Sequence, residues 1–104
     1  MVMYMNTYKL KKGAAVPDFK QAVERLVKEI FANHQGATSF KLLAEGDGWA
    51  DCLMWDTMEN YHAFLEAAQS NPTASALAFY SFLNMNTCKS HVYTLEMDMS
   101  LNPS

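Results

Sequence analysis

The sequence predicts an α+β fold, a four-stranded antiparallel sheet with helices on one face. Three observations carry that expectation. Stretches that alternate every second residue stand at both ends and in the middle of the chain, and stretches with apolar residues three and four apart lie between them. A Gly46-Asp47-Gly48 turn joins the two middle strands. At 104 residues the chain can bury one core without metals or disulfides. A single domain is expected over residues 1–98, with 99–104 a loose tail.

The first strand runs from about Val2 to Lys11 and ends at Gly13, with Val2, Tyr4, Asn6, Tyr8 and Leu10 at alternate positions. Asn6 is the odd member of this row: its amide is either held by a structural hydrogen bond or offered to a ligand. The expectation is the second, an amide left open in the free protein, because backbone groups alone complete the strand's ladder. Pro17 is placed at the first position of a helix, and Phe19, Ala22, Val23, Leu26, Val27, Ile30 and Phe31 follow at the spacing of one buried face. Glu24 with Lys28 and Arg25 with Glu29 can pair on the solvated side. Gly36 is expected to close this helix, with His34 capping its last turn and not serving as a ligand.

The runs "ATSFKLLAE" and "WADCLMWD" flank the glycine turn and should pair antiparallel. Asp56-Thr57-Met58-Glu59 reads as a capping box opening a second helix, with Met58, Tyr61, Leu65 and Ala68 inward and Phe64 beside them. "SNPT", Ser70 to Thr73, breaks that helix. A third follows from about Thr73 with Ala76, Leu77, Tyr80 and Leu83 at helical spacing. "KSHVYTLEMD" alternates His91, Tyr93, Leu95 and Met97 with Val92, Thr94 and Glu96, so it reads as the last strand. The order β-α-β-β-α-α-β is the split β-α-β, or ferredoxin-like, plan.

Charge and composition narrow the classes. Eight basic residues against eleven acidic ones leave −3, with no basic run beyond Lys11-Lys12, so no nucleic-acid footprint is visible. No apolar stretch approaches the roughly 20 residues that span a bilayer, and the N-terminus lacks a basic leader region. A cytoplasmic protein without membrane partners is expected. Cys52 and Cys88 are isolated, with no metal-ligand spacing around them, and read as reduced thiols. The first and third strands carry large apolar residues on both faces: Met3 and Met5 oppose the Asn6 row, and Cys52 and Met54 oppose Trp49, Leu53 and Trp55. Helices cover one face, so a second copy, packed sheet to sheet, is expected on the other.

Over roughly Met3 to Met97 the chain resembles the dimeric α/β-barrel superfamily, in particular the antibiotic biosynthesis monooxygenase (ABM) group. The resemblance rests on the element order, on "MNTYKLKKG" running to a glycine before the first helix, and on "LMWDTMENYHAF", a strand ending in Trp before a capped helix. It implies one pocket per subunit between sheet and helices. Haem-degrading members use an Asn on the first strand, a Trp on the second helix and a His on the third. Asn6 matches the first, Phe64 replaces the Trp, and no His lies between His62 and His91, so haem degradation is disfavoured. The cofactor-free monooxygenases remain, in which the anion of a phenolic or quinol-like substrate itself reduces dioxygen. No cofactor or metal is then expected, and the ligand is a small apolar or aromatic molecule.

Asn6, Asp51 and His91 are the candidate catalytic residues, and Tyr8, Trp55, Phe64 and Tyr80 the candidate pocket residues. Asp51 shares the parity of Leu53 and Trp55, so it is either a buried carboxylate with a raised pKa that accepts a proton or a group satisfied by a loop N–H. The aromatic candidates can equally be packing groups with satisfied polar tips. Two alternatives to an oxygenase stay open: a non-catalytic small-molecule binder or sensor, and a module whose cleft is filled by its own aromatics.

Overall fold

In a computed structural model describing residues 1–102, the elements are β1 (Val2–Leu10), α1 (Val16–Glu29), a 3-10 turn (Phe31–Asn33), β2 (Ala37–Glu45), β3 (Gly48–Trp55), α2 (Met58–Ser70), α3 (Ala74–Tyr80) and β4 (Leu83–Thr94). The strand order is β2-β3-β1-β4, with every neighbouring pair antiparallel. This is the expected ferredoxin-like architecture, with β3 and β1 at the centre. Residues 99–102 carry no regular secondary structure. The last two positions of the expected tail, 103 and 104, lie outside the described residues.

Successive strand residues face opposite sides of the sheet, and burial shows which side the helices cover. Val2 and Tyr8 of β1 and Asp51, Leu53 and Trp55 of β3 are buried beneath the helices. Their cross-strand register, Val2 to Trp55, Tyr4 to Leu53, Asn6 to Asp51 and Tyr8 to Trp49, puts the two rows side by side on this inner face. Met3, Met5 and Met54 share the outer face with Cys52. No helix among the described residues is long and apolar enough to cross a membrane.

The helix stripes account for the packing, with five departures from expectation. In α1, Phe19, Ala22, Val23 and Leu26 are buried, and the outer pairs Glu24–Lys28 (2.6 Å) and Arg25–Glu29 (3.0 Å) form as the spacing requires. The helix stops at Glu29, however, and Gly36, at φ +90°, belongs instead to the turn entering β2. Its carbonyl accepts from the Asp56 N–H (2.9 Å), and a Cβ there would stand 2.4 Å from the Asp56 carboxylate. At α2 the cap is Thr57, whose hydroxyl accepts from the Asn60 N–H (3.1 Å); Asp56 accepts from the Asn60 side chain instead (2.8 Å). Tyr61 and Phe64 take the sheet-facing side of α2, and Met58 is left exposed at the rim.

In α3 the buried residues are Ser75 and Phe79, four apart, while Leu77 and Tyr80 are exposed. Leu83 does not extend this helix: it opens β4, six positions before the expected start at Lys89, and pairs with Leu10. The early part of β4 is irregular. Its register against β1 shifts between Thr7 and Lys9, and the Thr87 hydroxyl accepts from the Lys9 N–H there (2.9 Å) while donating to the Asn84 carbonyl (2.6 Å). Such an irregularity redirects side chains, and here it turns Met85 and Cys88 toward the space under the helices.

Candidate functional site

The residues beneath the helices divide into two clusters. Tyr8, Phe19, Val23, Leu26, Phe79 and Leu83 form one under α1 and α3. Val2, Leu53, Trp55, Tyr61 and Phe64 form the other under α2. Ile30, Phe31 and Phe40 pack against both, and a cavity of about 610 Å³, lined by Tyr8, Leu26, Phe79 and Leu83 from the first and by Leu53 and Phe64 from the second, lies between sheet and helices. That is ample space for a small aromatic molecule. The chain's own aromatics therefore leave the cleft unfilled, and the filled-module alternative is set aside.

The inner face of β1 and β3 supplies the polar floor. Asp51 is 5% exposed and accepts two hydrogen bonds, from the Asn6 side-chain amide (2.9 Å) and from the Tyr8 hydroxyl (2.8 Å). Ser90, opposite Asn6 on β4, donates its hydroxyl to the Asn6 side-chain carbonyl. Three adjacent strands thus present Tyr8, Asp51, Asn6 and Ser90 as one connected row. Burial is the main influence on Asp51 and raises its carboxyl above the usual carboxylate range, while the Asn6 and Tyr8 donors pull it down. Burial, then the charge of Asp51, raises the Tyr8 hydroxyl far above the usual phenol range, so Tyr8 stays a proton donor to the carboxylate. An isolated buried carboxylate would cost several kcal/mol. Two donors, each worth about 1.5–3 kcal/mol to a charged acceptor, offset much of that.

The walls come from Leu26, Ile30, Phe31, Phe64, Phe79 and Met85, and the mouth from the end of α2 and the loop to α3, Ala67 through Thr73. Tyr80 lines the cavity while remaining 47% exposed, and burial raises its hydroxyl as well. Among the described residues no group of three or more His, Cys, Asp or Glu side chains could hold a metal ion.

The structure brings Asn6, Asp51, Tyr8, Phe64 and Tyr80 to this cavity. Asn6 is not open as expected: both ends of its amide are engaged, by Asp51 and by Ser90. His91 is not at the cavity. It pairs with Met5 and so shares the outer face, exposed, with its ring against Tyr93 (centroids 6.1 Å apart). Trp55 is fully buried and lies behind Phe64, with ring centroids 5.1 Å apart, so it supports the wall without lining it. Its indole N–H has no hydrogen-bond partner.

Sequence reasoning missed Ser90, Met85, Cys88, Phe79 and His34. His34 is a cap, of the 3-10 turn that follows α1, its N–H donating to the Phe31 carbonyl (3.2 Å), and it also lines the cavity, edge-on to Phe64 with centroids 5.3 Å apart. One signal could have found it: His34 continues the α1 stripe four residues beyond Ile30.

No family model matches the chain, and no curated protein sequence matches it. Solved structures do. SnoaB, a cofactor-independent oxygenase from Streptomyces nogalater, is similar at a TM-score of 0.74 and 18% identity, over 94% of this chain and 95% of that one. A proposed antibiotic biosynthesis monooxygenase from Bordetella bronchiseptica is similar at a TM-score of 0.73 and 13% identity, over 92% of this chain and 97% of that one. A dimeric ferredoxin-like protein of unknown function from Thermobifida fusca is similar at a TM-score of 0.68 and 11% identity, over 90% of each chain. These likenesses bear on architecture: the chain has the ferredoxin-like fold seen in these proteins, among them ones described as antibiotic biosynthesis monooxygenases.

Proposed function

We propose that the protein is a cytoplasmic, cofactor-independent monooxygenase acting on a phenolic or quinol-like small molecule, with one domain over residues 1–98 and one pocket per subunit of a homodimer. The observation that carries this reading is a buried carboxylate, held by neutral donors, on the floor of an apolar cavity. Fold analogy alone would not carry it. SnoaB's description as a cofactor-independent oxygenase on this fold adds support.

The chemistry asks little of the protein. Asp51 accepts the proton of a substrate hydroxyl, a transfer its raised pKa suits. The electron-rich anion passes one electron to dioxygen, and the radical pair joins through a new C–O bond to give a peroxide anion, which takes back the proton from Asp51 to become a hydroperoxide. Loss of the proton on that carbon breaks the O–O bond and releases water, leaving a quinone carbonyl. One oxygen atom ends in the product and the other in water. Asn6 and Tyr8 hold Asp51 in place, and the apolar walls hold the ring and limit water.

Oxygen uptake with a panel of hydroquinones and naphthohydroquinones tests the proposal. Uptake above spontaneous autoxidation is expected, with a loss of about 100-fold or more in Asp51→Asn, the range of a general base. Wild-type uptake no faster than the buffer would overturn the oxygenase reading. Binding without uptake would favour the small-molecule binder or sensor.

A further inference from the structure

The cavity holds a carboxylate, yet among the described residues no lysine or arginine lines it. The basic residues are placed elsewhere. Lys9 pairs with Asp47 (3.4 Å), Arg25 and Lys28 pair along the outer side of α1, and Lys20 lies over the Trp49 ring. Lys41 and Lys89, opposite Cys52 and Thr7, stand on the outer face of the sheet, and Lys11 and Lys12 lie in the β1–α1 connection. The two partners of Asp51, Asn6 and Tyr8, are neutral, so its charge is not offset by a cation.

The mouth adds a second feature of the same sign. Helix α2 ends at Ser70 with no basic residue in its last turn, and Ala67, Ala68, Gln69, Ser70 and Asn71 line the opening. The end of that helix is the negative end of its dipole. In the first turn of the seven-residue α3 the Thr73 hydroxyl accepts from the Ala76 N–H (3.2 Å), which takes that amide out of reach of a ligand. His34 is the one lining side chain able to carry positive charge, and it lies at the Phe64 and Trp55 end.

Both features act on an entering ligand in the same direction, and an apolar cavity screens them far less than water does. We infer that the cavity takes an uncharged hydroxyaromatic ligand, whose hydroxyl donates to Asp51, and rejects the carboxylated or phosphorylated counterpart. The inference rests on the reading that this cavity holds a hydroxyaromatic substrate, and it adds the charge that substrate must have.

The test is calorimetric binding of two probes of one shape, 2-naphthol and 2-naphthoate, at low ionic strength and pH 8. Naphthol should bind, and naphthoate should bind at least about tenfold more weakly. Gln69→Lys, which adds a cation at the mouth, should strengthen naphthoate about threefold or more relative to naphthol. A wild-type gap below tenfold, no binding of either probe, or a Gln69→Lys variant that treats naphthoate as wild type does would overturn the inference. Failure of the oxygenase reading looks different: the charge preference would stand while hydroquinones cause no oxygen uptake.

Discussion

Asn6 joins β3 to β4 through its side chain, donating to Asp51 and accepting from Ser90. Replacing it by leucine strands the Ser90 hydroxyl and removes one of the two donors on a buried carboxylate. Asn6→Leu should therefore cost about 1–3 kcal/mol, which a thermal melt would register as a fall of about 4 °C or more; an unchanged or raised midpoint would mean that the amide is dispensable to the fold. Asp51 itself makes a pH prediction. Its folded-state pKa is raised above the ordinary 3.8, so the folded protein keeps a proton that the unfolded chain has already lost. The stability this contributes is complete below the unfolded value and is lost as pH rises through the folded one. Asp51→Asn has no such dependence. The midpoint of wild type minus that of the variant should grow as pH falls from 7 towards 4, and a difference that stays flat or shrinks would show that Asp51 is not raised.

At the scale of elements, α2 is started by Thr57 and steadied by its neighbours. Thr57→Ala removes the hydroxyl that accepts from the Asn60 N–H and should cost about 1 kcal/mol, read as a fall in denaturant midpoint at unchanged slope. Asp56→Ala removes only a bond to the Asn60 side chain and should cost less; the reverse order would restore Asp56 as the cap. The two readings of this cap show what sequence can carry. Asp56-x-x-Glu59 and Thr57-x-x-Asn60 are both acceptable patterns, and only backbone geometry chooses between them. The α1 stripe and the inward parity of Asp51 were legible because each is a local repeat. The α3–β4 boundary was not, since Leu83 continues the helical spacing of Tyr80 and also begins a strand. His91 was beyond local reading as well. Its face depends on pairing with Met5, and a one-residue slip in register would have turned it inward. The cavity mouth draws on Ala67 through Thr73, which in sequence read only as a helix breaker.

At the scale of the molecule, helices cover one face of the sheet, and among the described residues no helix covers the other. Met3, Met5 and Met54 lie there with Cys52, and Leu43 and Tyr93 add large apolar groups at 46% and 50% exposure. Apolar surface of this kind on a sheet favours burial against a like surface. Lys41 and Lys89 stand on the same face, opposite Cys52 and Thr7; long side chains of this type can lay their stems on apolar surface with the charge in water at a rim. A two-fold axis through the face would set Met5 and Met54 against the partner's matching patch. Replacing both by lysine would bury unpaired charge on both sides of that interface, at a cost of about 3–5 kcal/mol for each uncompensated ion. The substituted positions face away from the cavity, so the folded subunit and its naphthol binding should survive. Sedimentation at micromolar concentration should find wild type as a dimer and Met5→Lys/Met54→Lys as a monomer with an intact circular dichroism spectrum. A monodisperse wild-type monomer would remove the sheet-to-sheet dimer, and a double variant that remains dimeric would move the interface to another face.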